Sequence, residues 1–368
     1  MAIVAIIALI ALAGNLAGVK HALAVIIGAV AGFGLYHASF GFTSAWRRVV
    51  TEKRGAGVRA QFALIILTSA VSFPLLAYGE AIGFPTIGSV APISVALVFG
   101  AFIFGMGMQL GGGCGSGTLF TVGGGSMRMI ITLAAFIAGS LTGTYHLPWW
   151  RSLPKTDGWS MVQSLGPFAA FLVLAAILVA ATYITITHEK SAHGALEKPK
   201  QTASILRGPW SPFAGVLALA FVGIATFAIL GRPWGITSAF SLWGAKAASL
   251  AGVDVASWPY WSARTGQLNR SVFADTTSVM NFGIIAGAMA ASALASKYRP
   301  VWRLNRAEVA TAIIGGLLMG YGARLAYGCN IGAYLGGVVS GSLHGWIWLI
   351  AAFAGSALAI GYRSKFNI

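Results

Sequence analysis

Two cysteines occur in 368 residues, and each sits in a glycine knot. The first reads Gly111-Gly112-Gly113-Cys114-Gly115-Ser116-Gly117 and interrupts a long apolar run. The second reads Tyr327-Gly328-Cys329-Asn330-Ile331-Gly332. The likeness spreads outward from the thiols. Gly113 answers Gly328, Leu110 answers Leu325, Gly107 answers Gly322, Gly105 answers Gly320, Gly100 answers Gly315 and Gly117 answers Gly332, without a gap. Gly139-Ser140 and Gly355-Ser356 follow at nearly equal distances. Matching of this kind indicates internal duplication.

Glycine costs a helix up to about 1 kcal/mol per residue relative to alanine. Irregular backbone at membrane depth survives only when buried in protein or lining a wet path. Each knot is therefore expected to break its helix inside the protein. Ser116 and Asn330 are N-cap residue types, so two half-helices would start beside the cysteines. Their free N–H groups and positive dipole ends would turn on a shared centre, where Gly113, Gly115 and Gly328 let the backbone come close. Such a centre suits a small anion.

A second matched pair points to the same place. Gly41-Phe42-Thr43-Ser44-Ala45 corresponds to Gly235-Ile236-Thr237-Ser238-Ala239. Gly41 and the hydroxyls of Thr43, Ser44, Thr237 and Ser238 join the candidate binding set, with backbone bonding within a helix as the alternative for the hydroxyls. Arg324 precedes Cys329 by five residues, and Gln109 is its repeat equivalent. An arginine at membrane depth is a functional candidate and suits an oxyanion; snorkelling to an interface is the other reading.

Plainer readings apply elsewhere. A lone membrane cysteine is usually an inert small hydrophobe, but two at one place in a duplicated motif favour a role. A structural disulfide between Cys114 and Cys329 stays open. Gly100, Gly105, Gly315 and Gly320 read as close helix packing. Met106, Met108 and Met319 are soft ligands, yet no clustered histidine or Cys-x-x-Cys joins them, so neither a metal nor a cofactor is expected.

The elements that must position these residues are membrane helices. Hydrophobic residues make up 57% of the chain and charged residues 9%, and mean hydropathy is +0.79. A soluble domain carries roughly 25% charged residues. The net charge of +16 sits in short loops between apolar runs, the footprint of the positive-inside rule and not of a nucleic-acid-binding face. Residues 1–19 lack a basic leader and read as a first membrane helix. Apolar helices are expected at about 3–19, 21–36, 61–77, 94–110, 129–144, 165–186, 213–230, 282–296, 309–325 and 345–361. All eight acidic residues fall in loops or at helix ends, which argues against a cation path.

Basic groups at Arg47–Arg59, Lys190–Arg207, Lys297–Arg306 and Arg363–Lys365 place those stretches in the cytoplasm. Stretches 78–92, 145–163 and 231–280 then face the other side. The helix before Cys114 starts outside and the helix before Cys329 starts inside, so the expectation is an all-α integral membrane protein of two inverted-topology repeats with interrupted, re-entrant helices and central Cys loops. The first repeat spans 1–186, a cytoplasmic linker 187–211 and the second repeat 212–368.

At these residues the sequence resembles the YeeE/YedE family of sulfur-compound transporters. The resemblance rests on both cysteine knots and on Pro233-Trp234-Gly235-Ile236-Thr237-Ser238, and it covers essentially the whole chain. It implies an hourglass in a bacterial inner membrane, with thiosulfate passed inward between Cys114 and Cys329 at a constriction and no chemistry performed. It also implies a third cysteine in thiosulfate importers, where Gly41 stands here; sulfite, sulfide or a persulfide are then further candidate substrates. Two rival readings remain: a Sox-associated sensor of sulfur compounds that signals to a cytoplasmic regulator, and a membrane redox enzyme. A cytoplasmic sulfurtransferase is a further expected partner.

Overall fold

The computed structural model describes residues 1–199, 201–300 and 302–366. Lys200 lies outside the described residues, as do the side chains of Arg363 and Lys365. The chain is predominantly helical. Helices α1 (Ala2–Ala17) and α2 (Val19–Ala38) join at Gly18, and α2 is broken from α3 (Phe42–Glu52) by Ser39-Phe40-Gly41. Helix α4 (Ala56–Tyr78) follows, then α5 (Val95–Gly111), α6 (Gly115–Gly123), α7 (Met127–Ser152), the short α8 (Met161–Leu165) and α9 (Pro167–His193). The remainder comprises α10 (Pro212–Leu230), α11 (Thr237–Leu250), the short α12 (Pro259–Ser262) and α13 (Thr265–Asn269), α14 (Thr276–Leu294), α15 (Arg306–Leu325), a π-helical turn over Asn330–Leu335, the short α16 (Gly336–Val338) and α17 (Leu343–Phe366). Strands β1 (Pro92–Ser94) and β2 (Lys155–Gly158) pair antiparallel, with Pro92 opposite Gly158.

Among the described residues, nine helical stretches are long and apolar enough to cross a membrane. Large apolar side chains such as Ile177, Val179, Tyr183, Phe221 and Ile350 are exposed, as lipid-facing residues must be. This is a multi-pass membrane protein. Helix ends are locally specified. Ser94 accepts from Leu97 N at 3.0 Å to start α5, and Asn305 and Glu308 form a reciprocal capping box at α15, each satisfying otherwise unpaired N–H groups. Pro167 and Pro212 stand at the first positions of α9 and α10, where no N–H is needed.

Several elements differ from expectation. Helix α7 runs on to Ser152 and α9 to His193, so part of the 145–163 stretch and the start of the supposed linker are helical. No glycine breaks either run there. Helix α14 begins at Thr276, because Asp275 accepts from Ser278 N at 2.7 Å and caps it. The half-helices α3 and α11 were not anticipated, nor was the small hairpin of β1 and β2.

Glycine seams hold the long helices together. A Cβ at Gly100 would stand 2.8 Å from Gly322 O, and one at Gly107 would stand 2.8 Å from Gly315 O, so α5 and α15 run antiparallel in close contact. A Cβ at Gly105 would collide with the Ala352 carbonyl on α17, and one at Gly320 with the Phe136 carbonyl on α7. Gly28 and Gly32 of α2 meet the Met280 and Ile284 carbonyls of α14 in the same way. Helix α9 is peripheral: its buried apolar residues are the single stripe Ala170, Leu174 and Leu178, packed on α4. Its far end carries Glu189, fully buried and paired with Arg54 at 3.1 Å and Arg59 at 2.8 Å. Breaking a buried pair of that kind costs about 3–5 kcal/mol, whereas an exposed pair is worth about 0–1 kcal/mol.

Candidate functional site

Both knots fold alike. After α5, Gly112 takes φ +87°, and the chain turns into Cys114 at φ −84°, ψ −169°. After α15, Tyr327 takes φ +64° and Gly328 φ +155°, and the chain turns into Cys329 at φ −95°, ψ −169°. Thr118 N donates to Cys114 O at 2.8 Å, and Ala333 N donates to Cys329 O at 2.8 Å. The left-handed turn is easy for Gly112 but costs about 1–2 kcal/mol for the equivalent Tyr327.

The extended cap position falls on the cysteines themselves, two residues before Ser116 and one before Asn330. Ser116 and Asn330 lie in the first turn and cap nothing. Ser116 Oγ instead lies 3.5 Å from Cys114 Sγ. Asn330 is fully buried, and neither end of its amide has a hydrogen-bond partner among the described residues.

Both cysteines are buried free thiols, so no disulfide joins them. They bracket the start of α6. A Cβ on Gly115 would stand 2.9 Å from Cys329 Sγ and 3.5 Å from the Ile236 side chain, and a Cβ on Gly117 would stand 3.5 Å from Cys114 Sγ. The place of a Cβ on Gly332 lies 4.0 Å from Gly235 Cα. A Cβ on Gly113 would stand 3.3 Å from the backbone of Gly117 and Thr118.

The two Thr-Ser motifs start α3 and α11. Ser44 Oγ bonds back to Gly41 O at 3.2 Å, the local role weighed for it above. Thr43 is buried, and its carbonyl accepts from Gln109 Nε2 at 3.1 Å. Ser238 Oγ donates to Thr277 Oγ1 at 3.3 Å. Asn281 Nδ2 donates to Ile236 O at 3.0 Å. Gln109 and Asn281 thus each tie a motif to a long helix, a positioning role that sequence reasoning missed. The available signal was an amide buried in an apolar helix. Arg324 goes elsewhere: its guanidinium donates to Tyr260 Oη at 3.1 Å and reaches Ser241 Oγ at 3.5 Å, stacked 5.1 Å above the Tyr260 ring.

Two cavities lie at the ends of this arrangement. One of about 250 Å³ is lined by Arg232, Trp234, Thr237, Ser238, Tyr327 and Gly332. Another of about 490 Å³ is lined by Gly41, Ser44, Arg48, Arg59 and residues of the linker. Arg232 follows the C-terminal end of α10, and Pro212, at its N-terminal end, lines the second cavity. At 1.5 Å per residue the 19 residues of α10 separate them by about 28 Å, close to the roughly 30 Å of a bilayer's apolar core. A groove of about 900 Å³ between α5 and α17 is lined by Val95, Val98, Phe99, Phe102, Ile347 and Ile350; it is apolar and carries none of the motifs.

Residues 37–358 match the family model described as sulphur transport. The chain belongs to that family. Within the sulphur transport family it is 27% identical over 343 residues to the thiosulfate transporter TsuA of Spirochaeta thermophila, covering 88% of this chain and 92% of that one. It is 25% identical over 353 residues to the thiosulfate transporter TsuA of Escherichia coli, covering 90% and 91%. It is 34% identical over 147 residues to the probable transporter YedE of Escherichia coli, a match spanning 40% of this chain and only 36% of that relative's length.

Proposed function

We propose that this protein imports a small sulfur-containing anion, thiosulfate first among them, across the bacterial inner membrane. The observation that carries the reading is the bracketing of the α6 N-terminus by two buried free thiols, in a sulphur transport family member similar along most of its length to proteins named thiosulfate transporters. The substrate enters the cavity beside Arg232, Thr237 and Ser238, where guanidinium and hydroxyl donors suit an oxyanion. It passes Ile236 and Gly115 between Cys329 and Cys114, where α6 and the turn after Cys329 turn N–H groups toward it. The terminal sulfur meets the thiols through weak S–H contacts, and no covalent bond forms. It leaves through the cavity lined by Gly41 and Ser44, where Gly41 takes the place of a third thiol.

Reciprocal glycine contacts support an inverted-repeat reading, with halves at 1–186 and 212–368. Gly100 meets Gly322, and their repeat equivalents Gly315 and Gly107 meet in turn. Gly105 meets Ala352, and its equivalent Gly320 meets Phe136. A two-fold axis lying in the membrane plane exchanges such contacts, as in other transporters built this way. The test is uptake of radiolabelled thiosulfate into cells lacking other routes. Wild type restores uptake and a Cys114→Ala, Cys329→Ala double variant abolishes it. Unimpaired uptake by that variant removes the thiol role, and absence of wild-type uptake removes the importer reading.

A further inference from the structure

The second cavity has a charge pattern that the transport reading does not use. Arg48, Arg59, Lys198 and Glu197 all line it, together with Gly41 and Ser44. Three are cations and one is a carboxylate. Glu197 belongs to the chain that follows α9. Its carboxylate takes a forked pair of bonds from one nitrogen of Arg48, at 3.1 and 3.0 Å. The same guanidinium reaches Glu52 through Nε at 2.7 Å. A guanidinium offered to a carboxylate in this way is equally matched to a sulfur or phosphorus oxyanion.

We propose that this cavity is an exit site for the transported anion, in which Glu197 is a resident competitor for Arg48. The proposal rests on the transport reading above and adds the residues that receive the anion after the constriction. Two features give the linker segment a fixed end and a free end. The fixed end is Glu189, which accepts from Arg54, Arg59, Gly55 N at 3.1 Å and Glu197 N at 2.9 Å. It is fully buried, and its carboxylate cannot leave four donors cheaply. The free end is the Glu197 side chain itself. The side chains of Arg48 and Glu197 are 37% and 33% exposed, so water and salt screen the pair and an arriving anion can replace the carboxylate. An anion emerging past Gly41 meets Arg48, and the Ser44 O–H can turn to it from Gly41 O, since both side chains line the same space. Exchange on Arg48 releases the Glu197 side chain, which can then turn out of the cavity mouth while its backbone N–H stays on Glu189.

The experiment compares wild type, Glu197→Gln and Arg48→Gln reconstituted in vesicles. One arm reads thiosulfate uptake. The other reads the rate at which a membrane-impermeant anionic maleimide labels Ala60→Cys, a position lining the cavity, with the native buried cysteines as background. Removing the competitor while keeping the receptor should open the mouth, so Glu197→Gln labels roughly three- to fivefold faster, the factor expected from loss of one screened pair, and takes up thiosulfate at an undiminished or higher rate. Arg48→Gln also labels faster but takes up thiosulfate more slowly. A purely structural pair would make the two variants move together in both arms, and that result overturns the proposal. Unchanged labelling in Glu197→Gln overturns it as well. If wild-type vesicles transport no thiosulfate, the importer reading falls, while the labelling arm still decides whether Glu197 closes the cavity.

Discussion

At the scale of single residues, the two knots differ in what a small side chain would do. Gly332 has open space around it, with only Gly235 Cα at 4.0 Å from where its Cβ would be. Gly332→Ala should therefore leave the thermal midpoint in detergent unchanged and lower uptake by roughly tenfold, the scale of one misplaced methyl in a fitted site. An equal loss of stability and uptake would make Gly332 an ordinary packing glycine. The knots were legible because cysteine is rare here and its neighbours recur in register. The capping role of Ser116 and Asn330 was misread for a physical reason. A cap is defined by extended backbone at the residue before the helix, and that conformation falls on the cysteine directly after Gly113 or Gly328. Arg324 was legible as an unusual residue but not as the partner of Tyr260, because 64 residues separate the two.

At the scale of elements, the long helices were legible from apolar runs alone, since spanning a bilayer demands about 20 such residues. A half-helix beside Cys114 was expected from the glycine knot, though not its extent, and α3 and α11 were not expected at all. Helix α6 has 9 residues and α11 has 14; both are too short to span, and their buried faces include Ser116, Thr118 and Ser241, which break any apolar pattern. The turn after Cys329 is π-helical, which no periodicity argument anticipates. The packing reading of Gly105 carries a sharp expectation. A Cβ there would collide with the Ala352 carbonyl, and forcing a methyl into such a seam costs about 1–3 kcal/mol. Gly105→Ala should lower the thermal midpoint or the yield of folded protein, while Gly235→Ala, with nothing within 4 Å, should not. Equal midpoints for the two variants would disprove the seam.

At the scale of the whole molecule, the seams decide what can move. Helix α5 packs on α15 and α17, α15 on α7, and α2 on α14, so the main partners of these first-half helices lie beyond the linker. Backbones this close leave no room for one half to rock against the other, so under the proposed import reading an anion would pass by small displacements around Ile236, Gly115 and the cysteines. That interlocking also governs how the protein is made. The ribosome finishes α5 about 200 residues before it starts α15 and α17, so the glycine faces of α5 must wait in lipid with no mate until the second half is inserted. A chain cut within 194–211 should therefore yield halves that are degraded when expressed singly and that assemble when expressed together, read by co-purification. A first half that accumulates in folded form by itself would mean that biogenesis proceeds half by half after all.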